Sequence, residues 1–355
     1  MERNNGIVSA LIVLLSFLAA SALLLLIGKN PAEMYQAILQ VLSAVDSRSG
    51  TWNARYTGEW LVISVPLILC ALSAGFSFRA GLYNIGAEGQ YIAGLTAAQF
   101  TAIFFPPVPV LHAAAAVCTA VIAGAAWGGI AGILKTRCKV SEVISTIMMN
   151  YIALYIHRII TMRIPGSSLF RTPDFPVTAS LSSPTLSSLT NGSKLNYGLW
   201  LAAAAVFLYW VIMEKTAFGY SMRSCGINRD APKNTGNSVN ANIAAVMAVS
   251  GSFAGLAGAC VSLGIFNYGR ILSSFENYGF EGIAAAVGGG STAAGITIVG
   301  LLFGLLKSAQ PFIQSRQIPK DITTIIMALV VIFFSLKAGI KLFAERKKNP
   351  QKEEH

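Results

Sequence analysis

Apolar runs close to twenty residues long recur along this chain, at 7–27, 60–78, 86–105, 110–133, 142–161, 198–213 and 243–263, with two more near 295–309 and 321–337. That length matches the hydrocarbon core of a bilayer, which takes about 20 helical residues to cross. In lipid every backbone N–H and C=O must be satisfied within the chain, so runs of this kind fold as helices. The pattern predicts an all-α, polytopic transmembrane helical bundle. Composition agrees, with 12% charged residues and a mean hydropathy of +0.61, where a soluble domain carries about 25% charged residues.

The formal charge of +11 does not describe a nucleic-acid surface. Lys135, Arg137 and Lys139 crowd one short connection. Lys215, Arg223, Arg229 and Lys233 share residues 214–242 with Glu214 and Asp230. Lys337, Lys341, Arg346, Lys347, Lys348 and Lys352 close the chain. Basic residues concentrated in short connections set orientation, and these three segments are expected in the cytosol. Residues 162–197, rich in Ser, Thr and Pro, then fall outside. With both termini cytosolic the number of crossings is even, so 272–290 has to supply one despite Glu276, Glu281 and its glycines. The expected count is about ten, with interrupted helices. The run at 7–27 exceeds the 7–15 apolar residues of a signal peptide and reads as an uncleaved first span.

Asn30-Pro31-Ala32-Glu33 combines a capping residue with proline at the first helical position. Met34, Ile38, Leu42 and Val45 follow at helical spacing, predicting a short amino-terminal interfacial helix. The expected organisation is a first span plus interfacial helix at 1–58, a main transmembrane domain at 59–345 and a charged cytosolic tail at 346–355.

Polar groups inside apolar sequence carry the functional signal. Gly81-Leu82-Tyr83-Asn84-Ile85-Gly86-Ala87-Glu88-Gly89-Gln90 sits between two long apolar runs. An unpaired polar group in hydrocarbon costs several kcal/mol, and loose backbone survives there only when protein or a water-filled cavity surrounds it. A short polar turn at the membrane surface and a broken helix lining a solute pathway both fit. In 142–161, Glu142, Ser145, Thr146, Met149, Asn150 and His157 share one face, with Ile144, Ile147, Met148, Tyr151, Tyr155 and Ile159 mostly on the other. Such a stripe lines a pathway or bonds a neighbouring helix. His112 and His157, near span ends, read as polar tips reaching the interface. Gly124, Gly128 and Gly132, with Gly251 and Gly255 and with Gly300 and Gly304, have the spacing of close helix packing.

Enzyme chemistry is not indicated. Gly288-Gly289-Gly290-Ser291-Thr292 lacks the Gly-x-x-x-x-Gly-Lys-[Ser/Thr] pattern of a nucleotide loop. No nucleophile–base arrangement and no metal-ligand spacing occur. The five cysteines give no disulfide framework. Ion coupling, with Glu88 or Glu281 as a proton or sodium site, and ATP hydrolysis on a partner chain remain the two sources of energy.

Several motifs converge on one family. The segment 76–90 resembles the hallmark of permease subunits from bacterial ATP-binding-cassette importers of nucleosides and simple sugars, related to branched-chain amino acid and ribose permeases. Glu142-Val143-Ile144-Ser145-Thr146-Ile147-Met148-Met149-Asn150-Tyr151 and Gly279-Phe280-Glu281-Gly282-Ile283-Ala284 are similar to two further stretches. Gly226-x-Asn228-x-x-Ala231 with Gly236 resembles the ATPase-coupling loop, although Pro232 and Asn237 depart from its pattern. The resemblance implies alternating access for a nucleoside, or else a simple sugar or riboflavin-like solute. Asn84, Glu88, Gln90, Glu142 and Asn150 would form the substrate pathway, and Gly226, Asn228, Ala231 and Gly236 the coupling loop. It implies an ATP-binding-cassette ATPase holding Mg-ATP, a second permease in a heterodimer and an extracytoplasmic solute-binding protein or lipoprotein. The expected location is the bacterial cytoplasmic membrane, with no cofactor on this chain and no nucleic acid.

Overall fold

The computed structural model describes residues 2–46, 49–227 and 239–348. Among them are α1 (Glu2–Leu26), α2 (Pro31–Ser43), α3 (Arg55–Arg79), α4 (Ala87–Phe104), α5 (Leu111–Cys138), α6 (Glu142–Met162), α7 (Pro184–Leu189), α8 (Gly198–Lys215), α9 (Ala217–Ile227), α10 (Val239–Gly264), α11 (Tyr278–Gly288), α12 (Ala293–Gln314) and α13 (Asp321–Lys348). Two short strands, β1 (Arg171–Asp174) and β2 (Tyr268–Arg270), pair antiparallel, with Arg171 opposite Arg270.

Helix α3 is the axle of the bundle. It is apolar all round and nearly all of it from Val62 to Ser77 is buried, as expected of a helix with neighbours on every side. Helices α10, α11 and α12 pack along it, with α8, α4 and α2 at its edges. Apolar side chains gain little from meeting each other rather than lipid, so close backbone approach holds such a bundle. The α5–α10 seam shows this. A Cβ on Gly124 would stand 2.7 Å from Gly255 Cα, and one on Gly132 would stand 2.8 Å from Ala244 Cα. Leu14, Leu18, Ile122, Ile144, Phe207 and Trp210 face outward on the surface left for lipid.

Among the described residues, six helices are long and apolar enough to span a membrane: α3, α5, α6, α8, α10 and α12. The chain is a multi-pass helical bundle. The region 272–290 is not one continuous span: irregular backbone after β2 leads into the eleven residues of α11. At 1.5 Å per residue α11 is about 16 Å long, roughly half the hydrocarbon core.

Helix α2 forms where expected, with Asn30 Oδ1 accepting from Ala32 N–H at 2.9 Å. Met34 and Ile38 are buried and Leu42 is exposed, and the helix packs on α12 and α3. The segment 162–197 is an ordered cap. Phe175, Ala179 and Leu181 close over Ala98, Ala102, Ala116, Ala120, Ala259 and Leu263 at the ends of α4, α5 and α10.

Candidate translocation and coupling site

Helix α3 stops because Gly81 adopts a left-handed conformation, φ +72°. Gly81 N–H donates to Phe78 C=O and Leu82 N–H to Ser77 C=O, both at 3.0 Å. This is the paired-bond stop that glycine supplies without a Cβ penalty. The chain then runs non-helically through residues 82–86 and restarts as α4 at Ala87. Asn84 is fully buried while Tyr83 is exposed, so the break carries its carboxamide inside the protein and its tyrosine on the surface.

The Asn84 side chain is engaged at both ends. Asn84 Nδ2 donates to Gln90 Oε1 at 3.0 Å and to Ser250 Oγ of α10 at 2.7 Å, while Asn84 Oδ1 accepts from Gly86 N–H at 2.9 Å. Ser73 Oγ donates to Gln90 Oε1 at 3.2 Å, and Ser250 Oγ to Ser73 C=O at 2.7 Å. This knot ties α3, the break, α4 and α10 together.

Glu88 reaches across to the second interrupted segment. Its Oε1 accepts from Glu276 and Asn277 N–H, both at 3.0 Å, and its Oε2 accepts from Gly279 N–H at 2.6 Å. A helix leaves its first four N–H groups unsatisfied and favours negative charge at that end. Glu88 meets both needs for α11. The residue at 279 has to be glycine for this approach, because a Cβ there would collide with the Glu88 backbone.

The stripe on α6 holds both breaks. Asn150 Oδ1 accepts from Gly89 N–H at 2.8 Å and Asn150 Nδ2 donates to Ile85 C=O at 3.0 Å. Ile85 N–H donates to Thr146 Oγ1 at 3.3 Å. Further along, His157 lies 2.8 Å from Thr96 Oγ1, and its Nε2 lies 3.1 Å from Arg270 C=O and 3.2 Å from Leu272 N. Glu142 pairs with Lys135 across the α5–α6 turn. The expected faces of α6 are borne out, with Ile144, Met148, Tyr155 and Ile159 exposed. The reading of His112 and His157 as interfacial tips is overturned. Both are fully buried, and His112 sits 2.9 Å from Thr178 Oγ1 and 3.2 Å from Thr101 C=O. Thr178 of the cap and Thr101 of α4 meet His112, and Thr96 of α4 with the backbone after β2 meets His157, where a helix end alone offers only water.

Beside the first break lies α9. Gly226, in its last turn, rests on Gly81: a Cβ built on Gly81 would stand 2.9 Å from Gly226 Cα. Glu214 at the end of α8 bridges Arg79 at the end of α3 and Arg223 of α9. Helix α9 includes Gly226, and the rest of the expected coupling loop, with Asn228, Ala231 and Gly236, lies outside the described residues. Partly exposed ion pairs contribute about 0.2–1 kcal/mol, so Glu214→Gln is expected to slow transport severalfold at most without loss of expression, as read from initial uptake rates.

Two cavities flank the breaks. A small one of about 80 Å³ lies between residues 80–82, Lys135, Met222, Cys225 and α10. A larger one of about 560 Å³ runs from the β1–β2 ribbon to the start of α11, lined by Phe275, Glu276, Tyr278 and Lys307 among others.

The pattern of the branched-chain amino acid transport system / permease component family matches residues 56–335. The chain belongs to that family. This permease is 37% identical over 348 residues to the guanosine ABC transporter permease protein NupP of Bacillus subtilis (strain 168), covering 96% of each chain. It is 33% identical over 354 residues to the nucleoside ABC transporter permease protein NupB of Lactococcus lactis subsp. cremoris (strain MG1363), covering 98% of this chain and 95% of that one. It is also 29% identical over 291 residues to the guanosine ABC transporter permease protein NupQ of the same Bacillus strain, covering 78% of this chain and 88% of the other.

In the permease, Asn84, Glu88, Gln90 and Asn150 converge on residues 84–90, while Glu142 stands apart at the α5–α6 turn. All five are buried, and their bonds run to the protein. Of the residues that complete the arrangement, Gly279 opens the motif at 279–284, while Ser73, Ser250 and Glu276 carry no motif of their own in an apolar sequence. Glu276 was visible only as a misplaced charge in a poor span.

Proposed function

We propose that this permease moves nucleosides across the bacterial cytoplasmic membrane by alternating access. The observation that carries the reading is its end-to-end similarity, 37% over 96% of both chains, to a permease named for guanosine. Two non-identical relatives in one Bacillus strain carry the same guanosine name, which supports a second, different permease beside this one. ATPase subunits holding Mg-ATP supply the energy, and an extracytoplasmic binding protein or lipoprotein delivers the solute. Residues 59–345 form the permease unit, with ten crossings and both termini in the cytosol. Gly226, Asn228, Ala231 and Gly236 face the ATPase.

The arrangement supplies two movable units: the break at 80–90 and the half-length α11, locked to each other through Glu88. A change of state requires contacts that differ between states, and the buried knots around Asn84 and Asn150 are discrete enough to exchange as sets. Ion coupling is less well supported, because Glu88 accepts three backbone bonds and Glu281 is paired with Lys307 at 2.7 Å.

Isolated with its partners, the permease is expected to copurify with an ATPase. Nucleoside uptake should fall to background when that ATPase loses its catalytic glutamate. Uptake by this chain alone in liposomes, driven by an imposed proton gradient, would refute the reading. Orientation has its own measurement: in an otherwise cysteine-free variant, Lys347→Cys should stay unreactive to an impermeant thiol reagent in intact cells, and labelling there would discard the ten-crossing count.

A further inference from the structure

The larger cavity, at about 560 Å³, falls within the roughly 300–1,000 Å³ of small-molecule sites. Its wall combines two surfaces. One is aromatic, from Phe170, Tyr268, Phe275 and Tyr278. Phe275 is held edge-on by Tyr151 at 5.1 Å and Phe280 at 5.7 Å, and Tyr278 leans on Tyr91 at 5.7 Å. These rings are braced before any solute arrives.

The other surface is charged yet neutralised. Arg270 Nη2 donates to Glu276 Oε2 at 2.7 Å, Lys307 pairs with Glu281 at 2.7 Å, and Arg171 lies 3.8 Å from Asp174. Each cation also stands over a ring: Arg270 over Phe266 at 4.2 Å, Lys307 over Tyr278 at 4.4 Å, and Arg171 over Tyr268 at 5.2 Å. A phosphate would have to displace a carboxylate from each cation it met. A neutral solute with hydroxyls can bond these groups without unpairing them. Ser273 and Ser274 add exposed hydroxyls to the lining.

The geometry points to this cavity as the place where the permease holds an uncharged nucleoside, its base against Phe275 and Tyr278 and its ribose hydroxyls on the Arg270–Glu276 pair. The assignment rests on the nucleoside reading above and adds the site and the exclusion of nucleotides. It also joins the site to the machinery. Glu276 receives a hydrogen bond from the Tyr91 hydroxyl, and its own N–H donates to Glu88. The floor of the cavity is therefore tied by hydrogen bonds to the start of α4.

Ser274→Cys tests this in membranes carrying the complete importer. None of the five native cysteines lines the cavity, so the wild-type chain is the control. Adenosine at about four times its dissociation constant should slow modification of the new thiol by a charged methanethiosulfonate about fivefold, as simple competition requires. Ribose and adenosine monophosphate should not protect. Adding Phe275→Leu should abolish protection while leaving the unprotected rate unchanged. Lack of protection by adenosine, with wild-type rates of adenosine uptake, would place the solute elsewhere and leave nucleoside import standing. Equal protection by adenosine monophosphate would overturn the neutral-solute assignment. A thiol that reacts in the isolated permease but not in the assembled importer would show a cavity closed by a partner subunit, which also overturns it. Failure of the wild-type importer to take up any nucleoside would instead sink the functional reading itself.

Discussion

Glu88→Ala is expected to abolish uptake and to lower the thermal stability of the purified permease. The carboxylate accepts from Glu276, Asn277 and Gly279 N–H, and its removal strands three donors, that of Gly279 fully buried and the other two partly so. Each buried donor left unsatisfied costs about 1–3 kcal/mol, so even partial relaxation leaves a deficit near 3 kcal/mol, about a hundredfold in an equilibrium or rate. Glu88→Gln is expected to do almost as badly despite its matched size. A carboxamide turns one of its two oxygens into an NH₂ donor, which then faces a backbone donor. Glu88→Asp is one methylene too short to span from α4 to α11. The set separates the capping role from ion coupling. If Glu88 carried a proton during transport, glutamine would mimic the protonated form and preserve solute counterflow. Retained counterflow in Glu88→Gln, with an unchanged melting temperature, would contradict the capping account.

Much of this architecture was legible in residue type and spacing. The helices follow from apolar runs of bilayer length, and the glycine seam between α5 and α10 from Gly124, Gly128, Gly132, Gly251 and Gly255. The polar stripe of α6 came through because period-3.6 patterning reports which face is sheltered. What it is sheltered by is a tertiary fact. Nothing in 142–161 says that Asn150 will hold Ile85 and Gly89, or that His157 will hold Arg270 and Leu272. The same limit explains Glu88. A carboxylate in apolar sequence signals an unusual site, but only the position of α11 reveals that it caps a helix. The half-length of α11 was hidden as well, because parity counts crossings without saying where helix begins within one. Ser73 and Ser250 gave no signal, since single serines are common in membrane helices.

The second large effect is expected at the contact between the break and α9. Gly81 has to be left-handed to end α3, which costs other residues about 1–2 kcal/mol, and its missing side chain leaves room for Gly226. Gly81→Val violates both conditions. Gly226→Val violates only the second, because Gly226 lies inside α9 where valine is tolerated at a propensity cost below about 1 kcal/mol. Both variants should lose uptake, but for different reasons. Gly81→Val is expected to lose thermal stability along with transport. Gly226→Val should keep near-normal expression and melting temperature while ATP hydrolysis by the assembled importer no longer yields uptake. That outcome follows if α9 transmits movement to the break by direct backbone contact, with the Glu214 bridge to Arg79 and Arg223 as a weaker second tie. A Cβ at 226 already stands 2.5 Å from Arg79 C=O, so Gly226→Ala is expected to lose part of the uptake and fall between glycine and valine. Wild-type uptake in Gly226→Val would show that α9 and the break move independently, and the path of energy into the bundle would have to run through another contact.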